Sequence, residues 1–165
     1  MTFTRAQSAV VVDASVAIPF LRGDPDWKDF MSERIQADDM LVAPPHFGLE
    51  VANGLLRGTT ITSADHVVDL MRQLWETGIT EVATRPLALE DAIRLAARHR
   101  LTVYDAAYLN LAIDIDGELA TLDKDLLRAA ASEGVSLAAR QSLELRSRAE
   151  GERWAAAADD PEFGR

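Results

Sequence analysis

The sequence predicts an α/β fold in which a central parallel β-sheet is flanked by helices. Short apolar runs alternate along the chain with longer segments whose apolar residues recur at helical spacing. The first run, Ala9–Val12, is continuously apolar, which is typical of a parallel strand buried on both faces. Proline and glycine residues separate several of these runs from the amphipathic segments, which is typical of the turns between strands and helices.

Composition restricts the class of protein further. The 165 residues suit one domain with its own core, and the absence of cysteine excludes disulfides, zinc-thiolate sites and thiol nucleophiles. The net charge of −10 argues against binding nucleic acid through a broad basic surface. The N-terminal apolar run is too short for a signal peptide or a membrane span, so we expect a cytoplasmic protein without a membrane segment.

The first half of the chain is predicted to form three helices and two strands. Asp24 and Pro25 supply the N-cap and first residue of a helix. Its apolar residues fall at helical spacing: Trp27, Phe30, Met31 and Ile35. Two prolines end a second strand at Met40–Ala43, and the other helices are predicted over residues 16–21 and 47–57.

The second half continues the alternation. Ser63 is the predicted N-cap of a helix whose buried stripe consists of Val67, Leu70, Met71, Leu74 and Trp75. Strands are predicted over residues 79–83, 118–122 and 135–138, and helices over 86–98, 104–115 and 123–131. We therefore assign residues 1–139 to one domain. Residues 140–165 form a C-terminal extension, either a mobile tail or an appended helix that packs on a partner through Leu143, Leu145 and Trp154.

Three aspartates stand where a parallel fold gathers functional side chains. Asp13 follows the first strand, Asp105 opens an apolar helix, and Asp123 lies at a strand-to-helix junction. The carboxyl ends of parallel strands meet at one edge of the sheet, where ligands bind. Each aspartate taken alone also has a structural interpretation, because this residue commonly caps helix N-termini. Position alone leaves both interpretations open.

Glu50 is a fourth candidate. On a helix it shares a polar stripe with Asn53 and Arg57, while leucine and valine residues face the core. A solvent-exposed stripe explains this pattern equally well. Four carboxylates together nevertheless suit a site for Mg²⁺ or Mn²⁺, which prefer hard oxygen ligands and assist phosphodiester hydrolysis.

The order of four segments resembles a known family. VVVDASV, EVANGLL, LTVYDAAYLNLA and ELATLDKDLLRAAASEGV are similar to the PIN domain, and within it to the VapC-type toxins of bacterial toxin–antitoxin pairs. The resemblance covers roughly residues 8–139, and the two segments around Asp105 and Asp123 are its most specific part. It implies a single PIN-like domain with a parallel sheet flanked by helices.

The resemblance also implies an activity and a set of site residues. The activity is that of an Mg²⁺- or Mn²⁺-dependent endoribonuclease. The catalytic and metal-binding acids would be Asp13, Glu50, Asp105 and Asp123. Polar side chains around them would be Ser15, Asn53 and Thr121. Asp125 is a further candidate outside the quartet, because the matching position in the family is often not acidic.

The resemblance implies partners as well: an RNA substrate, a small antitoxin whose C-terminal segment wraps the toxin, and a second copy in a homodimer. The alternative is a catalytically idle PIN-like module that acts by binding a protein partner through its acidic surface and amphipathic helix. A phosphatase using Asp13 would need a second aspartate two residues later, where Ser15 stands. Trp27, Trp75 and Tyr108 are predicted to be core residues rather than platforms for nucleobases.

Overall fold

A computed structural model describes residues 8–58 and 63–138, and within these ranges it contains four strands and seven helices. The strands are β1 (Ala9–Val12), β2 (Met40–Ala43), β3 (Thr80–Glu81) and β4 (Glu118–Ala120). The helices are α1 (Ala14–Leu21), α2 (Pro25–Gln36), α3 (Phe47–Leu56), α4 (Ala64–Glu76), α5 (Pro86–His99), α6 (Val103–Asp114) and α7 (Lys124–Glu133).

The four strands form one parallel sheet in the order β3-β2-β1-β4, which confirms the predicted class. In the centre, Val11 of β1 is paired with Val42 on one side and Leu119 on the other. All carboxyl ends therefore lie along the same edge of the sheet. Asp13 leaves that edge from the middle of the sheet, next to the segment that follows β4.

The core lies on both sides of β1, whose three valines are fully buried. Trp27, Tyr108 and Phe47 are the largest fully buried side chains, so the predicted core role of the first two is confirmed. Trp75 departs from the prediction with 41% of its surface exposed. Its ring packs edge-on against Phe47, at a centroid distance of 6.2 Å, and covers the core from outside.

The helix caps predicted from the sequence are present. The Asp24 side chain accepts a hydrogen bond from the backbone N–H of Asp26, and the hydroxyl of Ser63 accepts one from the N–H of His66. The helix predicted over residues 16–21 starts earlier, at Ala14. The carbonyl of Asp13 accepts hydrogen bonds from the next turn, so the helix follows β1 directly.

Strand ends differ most from the prediction. The strand predicted over 79–83 is only Thr80–Glu81, because it is exposed at the edge of the sheet and pairs with a single strand, β2, among the described residues. The strand predicted over 118–122 ends at Ala120, where side-chain hydroxyls replace the ladder partners. The strand predicted over 135–138 is a single bridge between Leu119 and Leu137.

No helix within residues 8–58 and 63–138 is long and apolar enough to cross a membrane. The extension predicted for residues 140–165 lies outside the described residues, as do the proposed contacts of Leu143, Leu145 and Trp154.

Candidate active site

Asp13 is the buried centre of the site, with 6% of its surface exposed. It occupies the N-cap position of α1, yet its side chain makes no capping hydrogen bond. The carboxylate instead accepts hydrogen bonds from the hydroxyls of Ser15, at 2.6 Å, and Thr121, at 2.7 Å. Helix capping therefore does not explain this aspartate. Its carboxylate is held by two residues that are 106 positions apart in the sequence.

These hydroxyls join the first βα turn to the last one. Besides donating to Asp13, the Ser15 oxygen accepts a hydrogen bond from the N–H of Leu122 at 2.8 Å. The Thr121 oxygen likewise accepts from the N–H of Asp123 at 3.0 Å. Both donors come just after β4, where the backbone has left the ladder. The network fixes Asp13 relative to Asp123, and satisfies backbone groups that the short strand leaves free.

Glu50 lies in the first turn of α3 and is held from α6. The phenol of Tyr108 donates a 2.5 Å hydrogen bond to Glu50 Oε2. The same oxygen lies 3.6 Å from Nε2 of His46, one turn earlier in the chain. The rings of His46 and Tyr108 pack edge to face, with their centroids 5.2 Å apart. Glu50 therefore faces protein on this side, whereas Asn53 and Arg57 of the same predicted stripe are exposed to solvent.

Asp105 stands in the first turn of α6, which Thr102 caps. The Thr102 hydroxyl accepts a hydrogen bond from the Asp105 N–H at 3.1 Å and donates one to Asp105 Oδ2 at 2.6 Å. The predicted N-terminal placement is correct, but Thr102 is the capping residue. The second carboxylate oxygen of Asp105 has no hydrogen bond to any described residue.

The first three acids share one electrostatic environment. Burial raises the pKa of Asp13 above its ordinary value; hydrogen bonds from Ser15 and Thr121 oppose this, and the charge of Asp105 adds to it. Burial also raises the pKa of Glu50, the Tyr108 and His46 contacts oppose it, and the charges of Asp13 and Asp105 add to it. Burial likewise raises the pKa of Tyr108. The charge of Asp105 thus raises the pKa of both Asp13 and Glu50, which is the effect expected of like charges within electrostatic range of one another.

The remaining predicted site residues are less closely involved. Asp123 is exposed and caps α7, accepting a hydrogen bond from the N–H of Leu126 at 2.8 Å. The Thr121 hydroxyl, which accepts from the Asp123 N–H, joins it to Asp13. Asp125 pairs with Arg128 on the exposed face of α7, at 2.9 Å. Asn53 is exposed on α3, and within residues 8–58 and 63–138 its side chain makes no hydrogen bond.

Tyr108, His46 and Thr102 belong to the site but were not predicted there. For two of them, the spacing in the sequence could have indicated this position. His46 precedes Glu50 by four residues, and Tyr108 follows Asp105 by three, so each shares a helix face with an acid. The signal is ambiguous because Tyr108 also fits the buried stripe of α6, where it is fully buried.

The donor chemistry fits a hard divalent cation. Asp13, Glu50 and Asp105 offer carboxylate oxygens from three separate elements, and a cation between them would offset their repulsion. In the part of the chain that the structure describes, no three acidic or histidine side chains stand close enough to form a ready-made metal cluster. The residues therefore fit such an ion by the chemistry of their donor atoms, without forming a preassembled set of ligands in the described part of the chain.

Two comparisons with individual proteins agree with this fold. The chain is 40% identical over 80 residues to Ribonuclease VapC3 from Pyrobaculum aerophilum. That alignment covers 47% of this chain and 61% of the relative, less than two thirds of its length. The crystal structure of PAE2754 from the same organism superimposes with a TM-score of 0.60 at 20% identity, covering 85% of this chain and 90% of the other. At this identity the superposition shows the fold alone.

A family model gives the broader assignment. The model described as PIN domain matches residues 10–132, a range that contains all four predicted acids. This range extends from β1 to the last turn of α7 and covers most of the chain. The chain therefore belongs to the PIN domain family.

Proposed function

We propose that this protein is a metal-dependent endoribonuclease. The observation that carries the proposal is that α1, α3 and α6 each begin with one of the acids Asp13, Glu50 and Asp105. The hydroxyl groups of Ser15, Thr121 and Tyr108 hold the first two. The similarity to a curated ribonuclease supports this function over that of an idle binding module.

Each residue has a role in this proposal. Asp13, Glu50 and Asp105 would hold Mg²⁺ or Mn²⁺, with Asp123 at the margin of the site. An ion bound by these residues would supply Lewis-acid chemistry for phosphodiester hydrolysis. Ser15 and Thr121 orient Asp13, while Tyr108 orients Glu50. These contacts preorganise the carboxylates, because each hydroxyl restricts the rotation of the acid that it binds.

We further propose that the protein is the toxin of a VapBC-type toxin–antitoxin pair. Its partners would be an RNA substrate, a small antitoxin and a second copy of the chain, and its compartment the cytoplasm. The support is the name of the curated relative and the family match. A short upstream reading frame whose product co-purifies with this chain and suppresses RNA cleavage would support the pairing. RNA cleavage that is unchanged by that product contradicts it.

The nuclease proposal is tested by replacing the acids one at a time. Asp13→Asn and Asp105→Asn are expected to reduce cleavage of total RNA in Mg²⁺ or Mn²⁺ by at least about 100-fold, because each removes a charge from the ion-binding group. Glu50→Gln and Asp123→Asn test the rest of the quartet. We expect Asp125→Asn to keep most of the activity, because Arg128 already pairs with that carboxylate.

The matched control is Asp29→Asn, which neutralises an exposed aspartate on α2. It should cleave at the parental rate, and circular dichroism should show the same fold for all variants. Cleavage at the parental rate by Asp13→Asn, or activity that persists in EDTA, would show that the assignment is wrong.

A further inference from the structure

A cavity of about 500 Å³ lies between α5 and α6, next to the acidic site. Its volume is in the range of pockets that hold small ligands, roughly 300–1,000 Å³. Most of the wall is apolar and comes from the two helices and from the loop that follows β3. The nuclease proposal itself makes no use of this cavity.

One end of the cavity adjoins the acids. His46 lines the wall, and its Nε2 lies 3.6 Å from Glu50 Oε2. The His46 nitrogen is buried and has no hydrogen-bond partner among the described residues. Tyr104, which immediately precedes Asp105, lines the same end. The side chain of His46 therefore lies between this end of the cavity and the Glu50 carboxylate.

Tyr104 offers an aromatic surface to such a molecule. Its side chain is 63% exposed although it stands in the first turn of a core helix. The ring meets that of His46 edge to face, at 5.3 Å between centroids, and His46 in turn packs against the buried Tyr108. This stack holds the Tyr104 ring from one side and leaves the rest of it accessible. Nucleobases stack on such exposed rings regardless of their sequence.

Arg85 adds a positive charge to the wall of the cavity. It lines the cavity just before Pro86, the first residue of α5, and forms no ion pair with any described residue. Asp114, at the other end of α6 from Tyr104, also lines the cavity and accepts a hydrogen bond from Asn110. A phosphate is therefore favoured near Arg85 and disfavoured near Asp114. The apolar part of the wall suits a neutral group such as a nucleobase.

We infer that the cavity is a nucleotide subsite, in which the base next to the cleaved phosphodiester stacks on Tyr104 while Arg85 contacts the adjoining phosphate. The inference rests on the proposed ribonuclease function and deepens it. A base that enters the cavity has left its own helical stack, so the substrate must be unpaired at this position.

The test measures binding separately from cleavage. The full chain with Asp13→Asn is titrated, by fluorescence anisotropy, into a labelled octaribonucleotide of random sequence and into an abasic octamer of the same length. Adding Tyr104→Ala should weaken binding of the base-containing RNA by about tenfold and leave the abasic RNA unchanged, because only stacking is lost. Adding Tyr104→Phe, which keeps the ring, should restore binding to within about twofold.

Arg85→Gln should weaken binding of both probes and lower the salt dependence of binding, since it removes a phosphate contact. The matched control is Ile113→Ala, which truncates an exposed apolar side chain of α6 outside the cavity wall. It should bind both probes like the Asp13→Asn parent.

Three outcomes would overturn the inference. One is unchanged affinity for both probes in the Tyr104→Ala and Arg85→Gln variants. Another is the absence of any binding of the random octamer by the Asp13→Asn protein. The third is a Tyr104→Ala variant that alters self-association or the capture of a protein partner, but not RNA affinity. If wild-type protein cleaves RNA in any of these cases, the proposed function survives and only the subsite is lost.

Discussion

At the scale of single residues, the buried carboxylate of Asp13 lowers the stability of the fold. Its carboxylate is nearly inaccessible, and neither Ser15 nor Thr121 carries a charge that would neutralise it. Burial and the nearby Asp105 together favour the protonated form, so ionisation at neutral pH opposes folding. A side chain that costs stability in this way is typical of active sites.

Asp13→Asn is therefore expected to stabilise the metal-free protein. Asparagine keeps an oxygen that accepts the two hydroxyl hydrogen bonds but cannot ionise. Because the pKa of Asp13 is raised in the fold, the wild type loses stability as pH rises above about 4, and the variant does not. In EDTA at neutral pH we expect a gain of about 1 kcal/mol, or ~2–4 °C in Tm, by thermal unfolding.

The comparison is repeated near pH 3, where Asp13 is protonated and the gap between the two proteins should shrink. Added Mg²⁺ should raise the Tm of the wild type more than that of Asp13→Asn. A variant that is less stable than the wild type at both pH values would contradict this account of Asp13.

Thr121 is expected to act on catalysis through Asp13. Thr121→Val keeps the shape of the side chain but removes the hydroxyl that donates to the carboxylate and accepts from the Asp123 N–H. Loss of such an orienting contact commonly costs about 10–100-fold in activity or metal affinity. Both should be measured, by RNA cleavage and by Mn²⁺ titration calorimetry, with Thr121→Ser as the variant that retains the hydroxyl. Equal activity in the Val and Ser variants would show that this hydroxyl is dispensable.

At the scale of elements, the pattern of apolar residues predicted most helices and the central strands but not the pairing across them. Periodicity identifies the buried face of α6, and it places Tyr108 there. It does not say that this face meets α3, so the hydrogen bond from Tyr108 to Glu50 was not predictable. The ends of β3 and β4 were missed for a related reason, since they depend on neighbouring strands and on Ser15.

The contact between α1 and α3 is expected to depend on Gly54. A Cβ atom at this position would lie 2.3 Å from Ile18 Cδ1, so Gly54→Ala conflicts with the helix that follows Asp13. Alanine also favours the helix by about 1 kcal/mol, which partly offsets the clash. Ile18→Val removes the clashing methyl group. We therefore expect Gly54→Ala to be less favourable in the parent than in the Ile18→Val background, by about 1 kcal/mol in urea unfolding.

Additive effects in this double-mutant cycle would show that the Ile18 side chain turns away from the extra methyl group at little cost. Activity provides a second measurement, because α1 follows Asp13 and α3 carries Glu50. A shift between the helices should lower cleavage in Gly54→Ala and restore it in the double variant.

At the scale of the whole molecule, the parallel topology determines which residues can meet. Asp13 and Thr121 are 108 positions apart, yet they follow adjacent strands and meet at one edge. The sequence predicted this edge because strand ends carry the acids, but strand order and the distances between side chains depend on packing. The ends of α5 and α7 contain a separate group of charges.

This group is expected to contribute a pH-dependent part of the stability without affecting activity. Glu133 at the end of α7 lies 2.6 Å from Nε2 of His99 and 2.8 Å from Arg98, and these contacts hold its pKa below the ordinary value. Since the pKa is lowered in the fold, the contribution is complete above about pH 4.3 and disappears as pH falls through the lower folded value. Its size should stay below about 1 kcal/mol, because the contacts lie near the surface.

Urea unfolding of Glu133→Gln and wild type across this pH range measures the contribution. The difference in free energy of unfolding should be clear near neutral pH and close to zero in strong acid. RNA cleavage should stay unchanged, because the contacts of Glu133 are to Arg98 and His99 and not to a predicted site acid. Glu76→Gln, which removes an exposed acid of α4, should show no such pH dependence. A Glu133→Gln difference that persists in strong acid would contradict this account, because protonated glutamate and glutamine are both uncharged and nearly equal in size.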